Sequence, residues 1–271
     1  MWCKRALQGG DMCYKHQFYG IASHRCVQLT PTLRCNQRCR FCWRSFEHEP
    51  QEEEECPPET ILAGIHKFQK KALAGYNAVL DNTVTEERWH EALDPKHVAI
   101  SLSGEPTLYS RLPDLIDLFN SNGYSTFLVS NGTNPEMLKK CNPFQMYISL
   151  DAPDRETYMV VCRPLGDYWE RVQESLRILG SRRSAVRVTL VKGLNDFAPE
   201  GYASILQDTG ASFVEIKGYM YLGYSRNRLA RENMPEHAEV RSFAEKVAAA
   251  SDYRFKDENK LSRVVVLERM T

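Results

Sequence analysis

From Pro58 onward, strand-like and helix-like segments alternate with short connections, and this confines the chain to a mainly parallel α/β architecture. Ile61, Leu62, Ile65, Phe68 and Ala72 recur at three- and four-residue spacing behind Pro58, which predicts an amphipathic helix. Strands are predicted at 97–102, 125–129, 146–150, 186–191 and 213–217, with helices at 112–121, 154–161, 168–179, 200–208 and 236–250 between and after them. A strand near 27–33 brings the core to six, and 262–267 reads as an additional one. Six βα units form either an open doubly wound sheet or a partial barrel, and pattern alone does not choose between them. Polar residues or Gly follow the strand ends, at Ser103-Gly104-Glu105-Pro106, Ser130-Asn131-Gly132, Asp151, Lys192-Gly193 and Gly218. In a parallel α/β fold these ends share one face, and that face carries the chemistry.

The first 46 residues read differently, as irregular structure rich in Cys, Arg and aromatics around the one strand. Six of the nine cysteines lie there: Cys3, Cys13, Cys26, Cys35, Cys39 and Cys42. No stretch reaches the roughly 20 apolar residues of a membrane span. The N-terminus lacks the apolar run of a signal peptide. A cytoplasmic location is therefore expected, where disulfides are rare, and an odd total fits poorly with a complete disulfide framework. Cys35-Asn36-Gln37-Arg38-Cys39-Arg40-Phe41-Cys42 places three thiols within one short loop after a strand. A structural zinc normally takes four protein ligands, and His24 or Cys26 could supply a remote fourth. A cubane iron–sulfur cluster takes one thiolate per iron, so three leave one iron open.

This C-x3-C-x-aromatic-C motif resembles the signature of radical S-adenosylmethionine (SAM) enzymes. That resemblance implies a partial (β/α)6 barrel, with SAM on the open iron of a [4Fe–4S] cluster held by Cys35, Cys39 and Cys42. It further implies reductive cleavage of the sulfonium to a 5′-deoxyadenosyl radical. Ser103-Gly104-Glu105-Pro106 resembles the family's Gly-Gly-Glu-Pro motif, whose strand-end backbone binds the SAM amino group. The carry-over rests on Gly104, Glu105 and Pro106, with Ser in place of the first Gly. Ser130, Asn131, Ser149 and Asp151 are similar to strand-end positions that meet the ribose or carboxylate of SAM. Capping and turn roles are open to the same residues.

A second set narrows the resemblance. Cys13-Tyr14-Lys15, Phe18-Tyr19-Gly20-Ile21, Ser23-His24-Arg25-Cys26 and Cys42-Trp43-Arg44 resemble the wyosine-base radical SAM family, the tRNA 4-demethylwyosine synthases. So do Ser149-Leu150-Asp151-Ala152-Pro153, Arg163-Pro164-Leu165 and the nearby Trp169. The family converts N1-methylguanosine-37 of tRNA(Phe) to 4-demethylwyosine, with pyruvate as two-carbon donor. The resemblance implies a second [4Fe–4S] cluster on Cys3, Cys13 and Cys26, in an extension spanning 1–26 that folds back over the mouth of a barrel spanning 27–271. Lys15 is implied as a catalytic residue, either as a Schiff base with pyruvate or as a group orienting pyruvate on the second cluster. Contact with tRNA phosphate is a third reading. The chain resembles the shorter archaeal form, without a flavodoxin-like domain. It is expected to be a monomer that takes electrons from an external flavodoxin or ferredoxin. Cys56, Cys141 and Cys162 fit no motif.

Formal net charge is +0, but it is a cancellation. Residues 1–46 carry net +7, and the loop that follows, 47–60, carries net −7. The basic N-terminal block suits RNA, because phosphate binding depends on local cations. Two further basic groups are candidates for the same role: Arg177, Arg182, Arg183, Arg187 and Lys192, and then Arg226, Arg228 and Arg231 beside Tyr219, Tyr221 and Tyr224. Arg with aromatics suits an unstacked base from a single-stranded loop. Two rivals are another radical SAM reaction, such as peptide maturation or partner-enzyme activation, and a non-catalytic zinc-stabilised RNA-binding module.

Overall fold

A computed structural model describes residues 2–46, 54–79 and 83–270. Most of the acidic run of 47–59 lies outside the described residues. Strands β1 (Cys26–Leu29), β2 (His97–Ile100), β3 (Ser125–Ser130), β4 (Gln145–Ser149), β5 (Ser184–Leu190), β6 (Phe213–Gly218), β7 (Tyr253–Asn259) and β8 (Val264–Arg269) form one sheet. Its order is β1-β2-β3-β4-β5-β6-β8-β7. The first six strands pair in parallel, while β8 joins β6 antiparallel and β7 lies at the far edge. Helices α1 (Trp2–Leu7), α2 (Tyr14–Tyr19), α3 (Pro58–Leu73), α4 (Glu86–Leu93), α5 (Leu112–Ser121), α6 (Pro135–Lys140), α7 (Arg155–Val161), α8 (Trp169–Arg177), α9 (Pro199–Gln207) and α10 (His237–Ala249) complete the chain. The six parallel strands agree with the partial-barrel expectation.

Strands β2–β6 are largely buried on both faces, as parallel sheets require. Val98, Ile100, Leu128, Met146, Ile148, Val186, Val188, Val214 and Ile216 pack outward against Leu115, Phe119, Leu176, Leu206 and Phe243 of the helices. The alternate residues Ala99, Phe127, Tyr147 and Ala185 face inward and pack around Ile21. Burying a side chain of this size contributes about 1.5–3 kcal/mol.

The N-terminal segment is more ordered than its sequence suggests. It forms α1 and α2, and Gly20 at φ +72 closes α2 with its N–H on the His16 carbonyl. Only a residue without a Cβ takes that conformation at no cost. The segment does not lie over the barrel mouth. Tyr14 and Phe18 pack on Val264 and Val266, and Tyr19 stacks near Phe213 at 5.3 Å, so α2 fills the inner face of the sheet. β1 is shorter than predicted, ending just before Pro31, which has no N–H for a ladder. α4 and α6 were not predicted. Their signals were the N-caps Thr85 and Asn134, whose side chains accept from the N–H groups of Arg88 and Met137. β7 was also unforeseen, because an edge strand needs no continuous apolar face.

Candidate active site

The loop after β1 presents Cys35, Cys39 and Cys42, and three parts of the chain hold its backbone. The Arg38 N–H donates to the carbonyls of Cys162 and Arg163 at 3.1 and 3.0 Å, and the Arg40 N–H donates to Val161 at 2.9 Å. Gln37 bridges to Pro164, which gives the Arg163-Pro164-Leu165 motif a position against the cysteine loop. Glu105 N–H donates to the Arg34 carbonyl at 2.8 Å. From the other side, the Arg228 guanidinium donates to the carbonyls of Arg40, Cys42 and Arg44. Tyr224 N–H meets the Trp43 carbonyl at 2.9 Å. The loop is therefore preformed.

The three thiols sit among the lining of a cavity of about 320 Å³. Gly104, Glu105, Ser130, Asn131, Ser149 and Asp151 line it as well, so the structure brings six of the seven candidate SAM residues to the cysteines. Pro106 does not line it; it opens a short 3-10 helix behind the loop. Burial, Glu105 and the neighbouring thiols push Cys35 up to about 12. The hydrogen bond that Cys39 donates to Cys162, and then burial, raise Cys39. Burial also raises Cys42. Thiols so placed resist ionisation until a cation shares them, which suits a metal cluster. Among the described residues, no three His, Cys, Asp or Glu side chains converge on the spacing of a single ion. A cubane spreads its thiolates over separate irons, so the donor set fits a cluster.

Gly104 has φ +73, and a Cβ there would run into the Thr32 carbonyl oxygen and lie 2.9 Å from that of Arg34. Gly104→Ala should displace the residues leading into Cys35, with strain of about 1–3 kcal/mol. The expected result is reduced iron content after anaerobic reconstitution; wild-type iron would contradict it. The Glu105 carboxylate is buried, and it accepts from Ser130 Oγ and Asn131 N–H at 2.7 Å and from Thr107 N–H and Oγ1 at 3.0 and 2.7 Å. Its side chain thus ties the β2 loop to the end of β3, while its backbone faces the cavity loop.

Asp151 is buried, and burial pushes its carboxyl up to about 6 against the opposing Thr189 N–H, which donates at 2.6 Å. The folded chain keeps this proton to higher pH than the unfolded chain, so the group subtracts stability as pH rises from about 4 to about 6. Asp151→Asn keeps the acceptor for Thr189 and removes the charge. Thermal unfolding should show the variant more stable at pH 7.5, by up to about 2 kcal/mol, with a flatter profile below pH 6. An unchanged profile would refute this.

A second triad lies in the N-terminal segment, where Cys13 and Cys26 pack against the inner-face clusters and Cys3 packs with Leu7, Leu73 and Trp89. Cys26 is pushed up to about 11 by burial, and it senses Lys15, Cys13 and Cys3. The Cys3 thiol meets the His24 carbonyl at 3.4 Å, and the Cys13 N–H donates to Ser23 Oγ at 3.0 Å. Lys15 Nζ lies over the rings of Tyr147 and Phe127, 4.4 and 4.9 Å from their centroids. Its pKa is lowered by burial, against the opposing pull of Glu215, Cys26 and Cys13. The structure therefore brings Lys15 and all three upstream cysteines into one electrostatic neighbourhood.

Three interior residues were not singled out as site residues by the sequence: Arg187 and Lys217, which line the cavity, and the buried Glu215. Their signal was a charge at an inward position of a strand, in Ser-Ala-Val-Arg-Val-Thr-Leu and Phe-Val-Glu-Ile-Lys-Gly. Arg187 thereby leaves the proposed basic surface of 177–192. Arg182 caps the α6 carbonyls of Leu138 and Lys139 and the following Cys141, Arg183 bonds Gln145, and Lys192 pairs with Glu239, so that group is not a free RNA patch. In the third basic group, Arg228 holds the cysteine loop and Tyr219 is buried, whereas Tyr224 is exposed. Cys141 and Cys162 are buried and Cys56 is exposed.

The family described as Radical SAM superfamily matches residues 29–203, and the family described as Wyosine base formation matches 208–269. A tRNA 4-demethylwyosine synthase from Pyrococcus abyssi is 44% identical over 283 residues, covering 99% of this chain and 82% of the relative. The chain belongs to the tRNA 4-demethylwyosine synthases. The Methanocaldococcus jannaschii synthase is 40% identical, with 98% of this chain and 88% of the relative covered. A solved structure of TYW1 with a lysine-pyruvate adduct bound superposes with a TM-score of 0.89 at 41% identity, covering 99% of this chain and 88% of that one. The synthase is a SAM-dependent radical enzyme of wyosine formation, and its family brings a [4Fe–4S] cluster with SAM. The zinc-module and peptide-maturation alternatives fall with this assignment. The wyosine-type segment supplies Arg228 and Tyr224, the groups that grip the radical SAM loop. No helix among the described residues is long and apolar enough to cross a membrane.

Proposed function

We propose that the synthase converts N1-methylguanosine-37 of tRNA(Phe) to 4-demethylwyosine, with pyruvate as two-carbon donor. The observation that carries this reading is the position of Lys15, within electrostatic reach both of Cys13 and Cys26 and of Lys217, which lines the SAM cavity. The lysine-pyruvate adduct in the TYW1 structure supports the same assignment.

In this reading Cys35, Cys39 and Cys42 hold the SAM cluster, and Gly104, Glu105, Pro106, Ser130, Asn131, Ser149 and Asp151 form the SAM pocket, Pro106 by shaping its loop. Cys3, Cys13 and Cys26 hold a second [4Fe–4S] cluster within an extension spanning 1–26. With cluster and SAM bound, the site supplies the family's one-electron cleavage of the sulfonium and the radical that takes hydrogen from the N1-methyl group. Lys15, its amine pKa lowered by burial, adds to the pyruvate carbonyl, and loss of water leaves a Schiff base. The carbon of the methyl group joins that keto-acid carbon. The bond from that carbon to the carboxyl then breaks and releases CO2 and one electron, which offsets the electron spent on the sulfonium; the guanine 2-amino group displaces the Lys15 amine, which closes the third ring and frees Lys15. The cavity rim, with exposed Trp43 and Leu222 beside Arg44, suits a base extruded from the anticodon loop, at a cost of roughly a few kcal/mol. The enzyme works as a cytoplasmic monomer with an external flavodoxin or ferredoxin as electron donor.

Lys217 is a second, half-buried lysine in the same interior, with its amine brought down to about 8 by desolvation and Arg187. Borohydride reduction of the anaerobic protein with pyruvate, followed by peptide mapping, separates the two. The expected label is on Lys15; a label on Lys217 alone, or none, contradicts the assignment.

A further inference from the structure

The barrel interior holds more positive charge than a Schiff-base lysine needs. Arg187 of β5 and Lys217 of β6 sit at alternate positions to Val186, Val188 and Ile216, which pack outward, so both face inward. Both line the cavity. Among the described residues, neither forms an ion pair or a side-chain hydrogen bond. Lys217 Nζ rests over the Tyr14 ring, 5.1 Å from its centroid. The carboxylates nearby are Glu215 and Asp151. Glu215 spends one oxygen on the Tyr19 hydroxyl at 2.6 Å and leaves the other buried without a partner, while Asp151 accepts from Thr189. With Lys15, three basic side chains thus face two carboxylates. Arg187 and Lys217 both present their charge to the cavity without a paired carboxylate, and a small anion between them would complete their hydrogen bonding.

The place of these cations indicates which anion. Gly104 and Glu105, the residues assigned to the SAM amino group, follow β2, which three strands separate from Lys217 on β6, while Arg187 on β5 is in register with Ser149 of β4, between the two ends of the cavity. Lys217, by contrast, contacts the ring of Tyr14, the neighbour of Lys15, and its charge acts on Cys13. A 2-oxo acid bound through its carbonyl to Lys15 carries its carboxylate one bond away. We propose that Arg187 and Lys217 bind the carboxylate of the 2-oxo acid that reacts with Lys15, and thereby select 2-oxo acids over neutral carbonyl compounds. The guanidinium offers the planar, two-point donor set that fits a carboxylate, and the ammonium adds a second charge. The inference rests on the Lys15 reading above.

The test uses anaerobic holoprotein with both triads loaded. Pyruvate and its neutral analogue pyruvamide are titrated, and the adduct is trapped with borohydride and counted by mass spectrometry. Wild type should favour pyruvate. Arg187→Met and Lys217→Met should each raise the half-saturating pyruvate concentration by about ten- to a hundredfold, with pyruvamide little affected. Arg187→Lys should recover part of the loss. Iron content and SAM affinity within twofold of wild type show that a variant is folded. Unchanged discrimination in folded Arg187→Met overturns the proposal, as does a loss of SAM affinity with pyruvate capture intact. If wild type traps no adduct, the Lys15 reading fails on its own, and calorimetric titration decides this one. Weaker pyruvate binding in Arg187→Met then sustains it, and equal binding overturns it.

Discussion

Lys15→Ala is expected to reduce formation of the ring-extended base by a factor on the order of 10³ or more, because removal of a covalent group seldom leaves an efficient alternative route. Cleavage of SAM should persist, since the first triad and its pocket residues are contributed by the loops after β1–β4. The variant should therefore release 5′-deoxyadenosine without product. Lys15→Arg separates the roles open to this residue. It keeps the charge but not the nucleophile, so it should be as inactive as Lys15→Ala if the Schiff base is essential. Substantial rescue by Arg would mean that Lys15 only orients a carboxylate or meets phosphate. The surroundings favour the nucleophile. Burial disfavours the ammonium, and the opposing carboxylate, Glu215, does not reverse the direction.

Removing one cysteine from each triad should give opposite phenotypes. Anaerobically reconstituted wild type should hold about eight irons per chain, as two cubanes. Cys39→Ala should lose about half of them and all SAM cleavage, measured as 5′-deoxyadenosine. Cys13→Ala should also lose about half, yet still cleave SAM and form no ring-extended base. Unchanged iron in Cys13→Ala would exclude Cys13 as a ligand. The two triads are built differently, and this sharpens the contrast. The first is one loop gripped by Arg228, the Val161–Arg163 carbonyls and the Glu105 loop. The second gathers Cys3 beside His24, Cys13 at the start of α2 and Cys26 at the start of β1. Its assembly depends on the packing of the whole extension.

That difference also explains what could be read from the sequence. The alternation of β and α gave the parallel core, and the polar strand ends gave the chemical face, because both follow from local pattern. Gly104, Ser130, Asn131 and Asp151 were legible as strand-end residues for the same reason, whereas Ser149 and the SAM roles came from the family resemblance. The fold of the extension was not. Helices of six residues carry too little periodicity, and α2 is held by contacts with Val264, Val266 and Phe213 at the other end of the chain. Arg187, Glu215 and Lys217 were missed because a strand buried on both faces has no wet side. A charge there reads like the exposed half of an ordinary strand until topology shows where it points. Arg228 was read as RNA-facing, but its donors go to the Arg40, Cys42 and Arg44 carbonyls. Spacing along the chain holds no information about that contact.

The central claim is that this interior joins a keto acid to a methylated guanine. The most direct measurement supplies anaerobic, reduced enzyme with SAM, tRNA(Phe) bearing N1-methylguanosine-37, and pyruvate labelled with carbon-13 at its carbonyl and methyl carbons. The nucleoside is then analysed by mass spectrometry. A tricyclic base carrying both labelled carbons is the predicted result. Release of 5′-deoxyadenosine with no labelled carbon in the tRNA would contradict it.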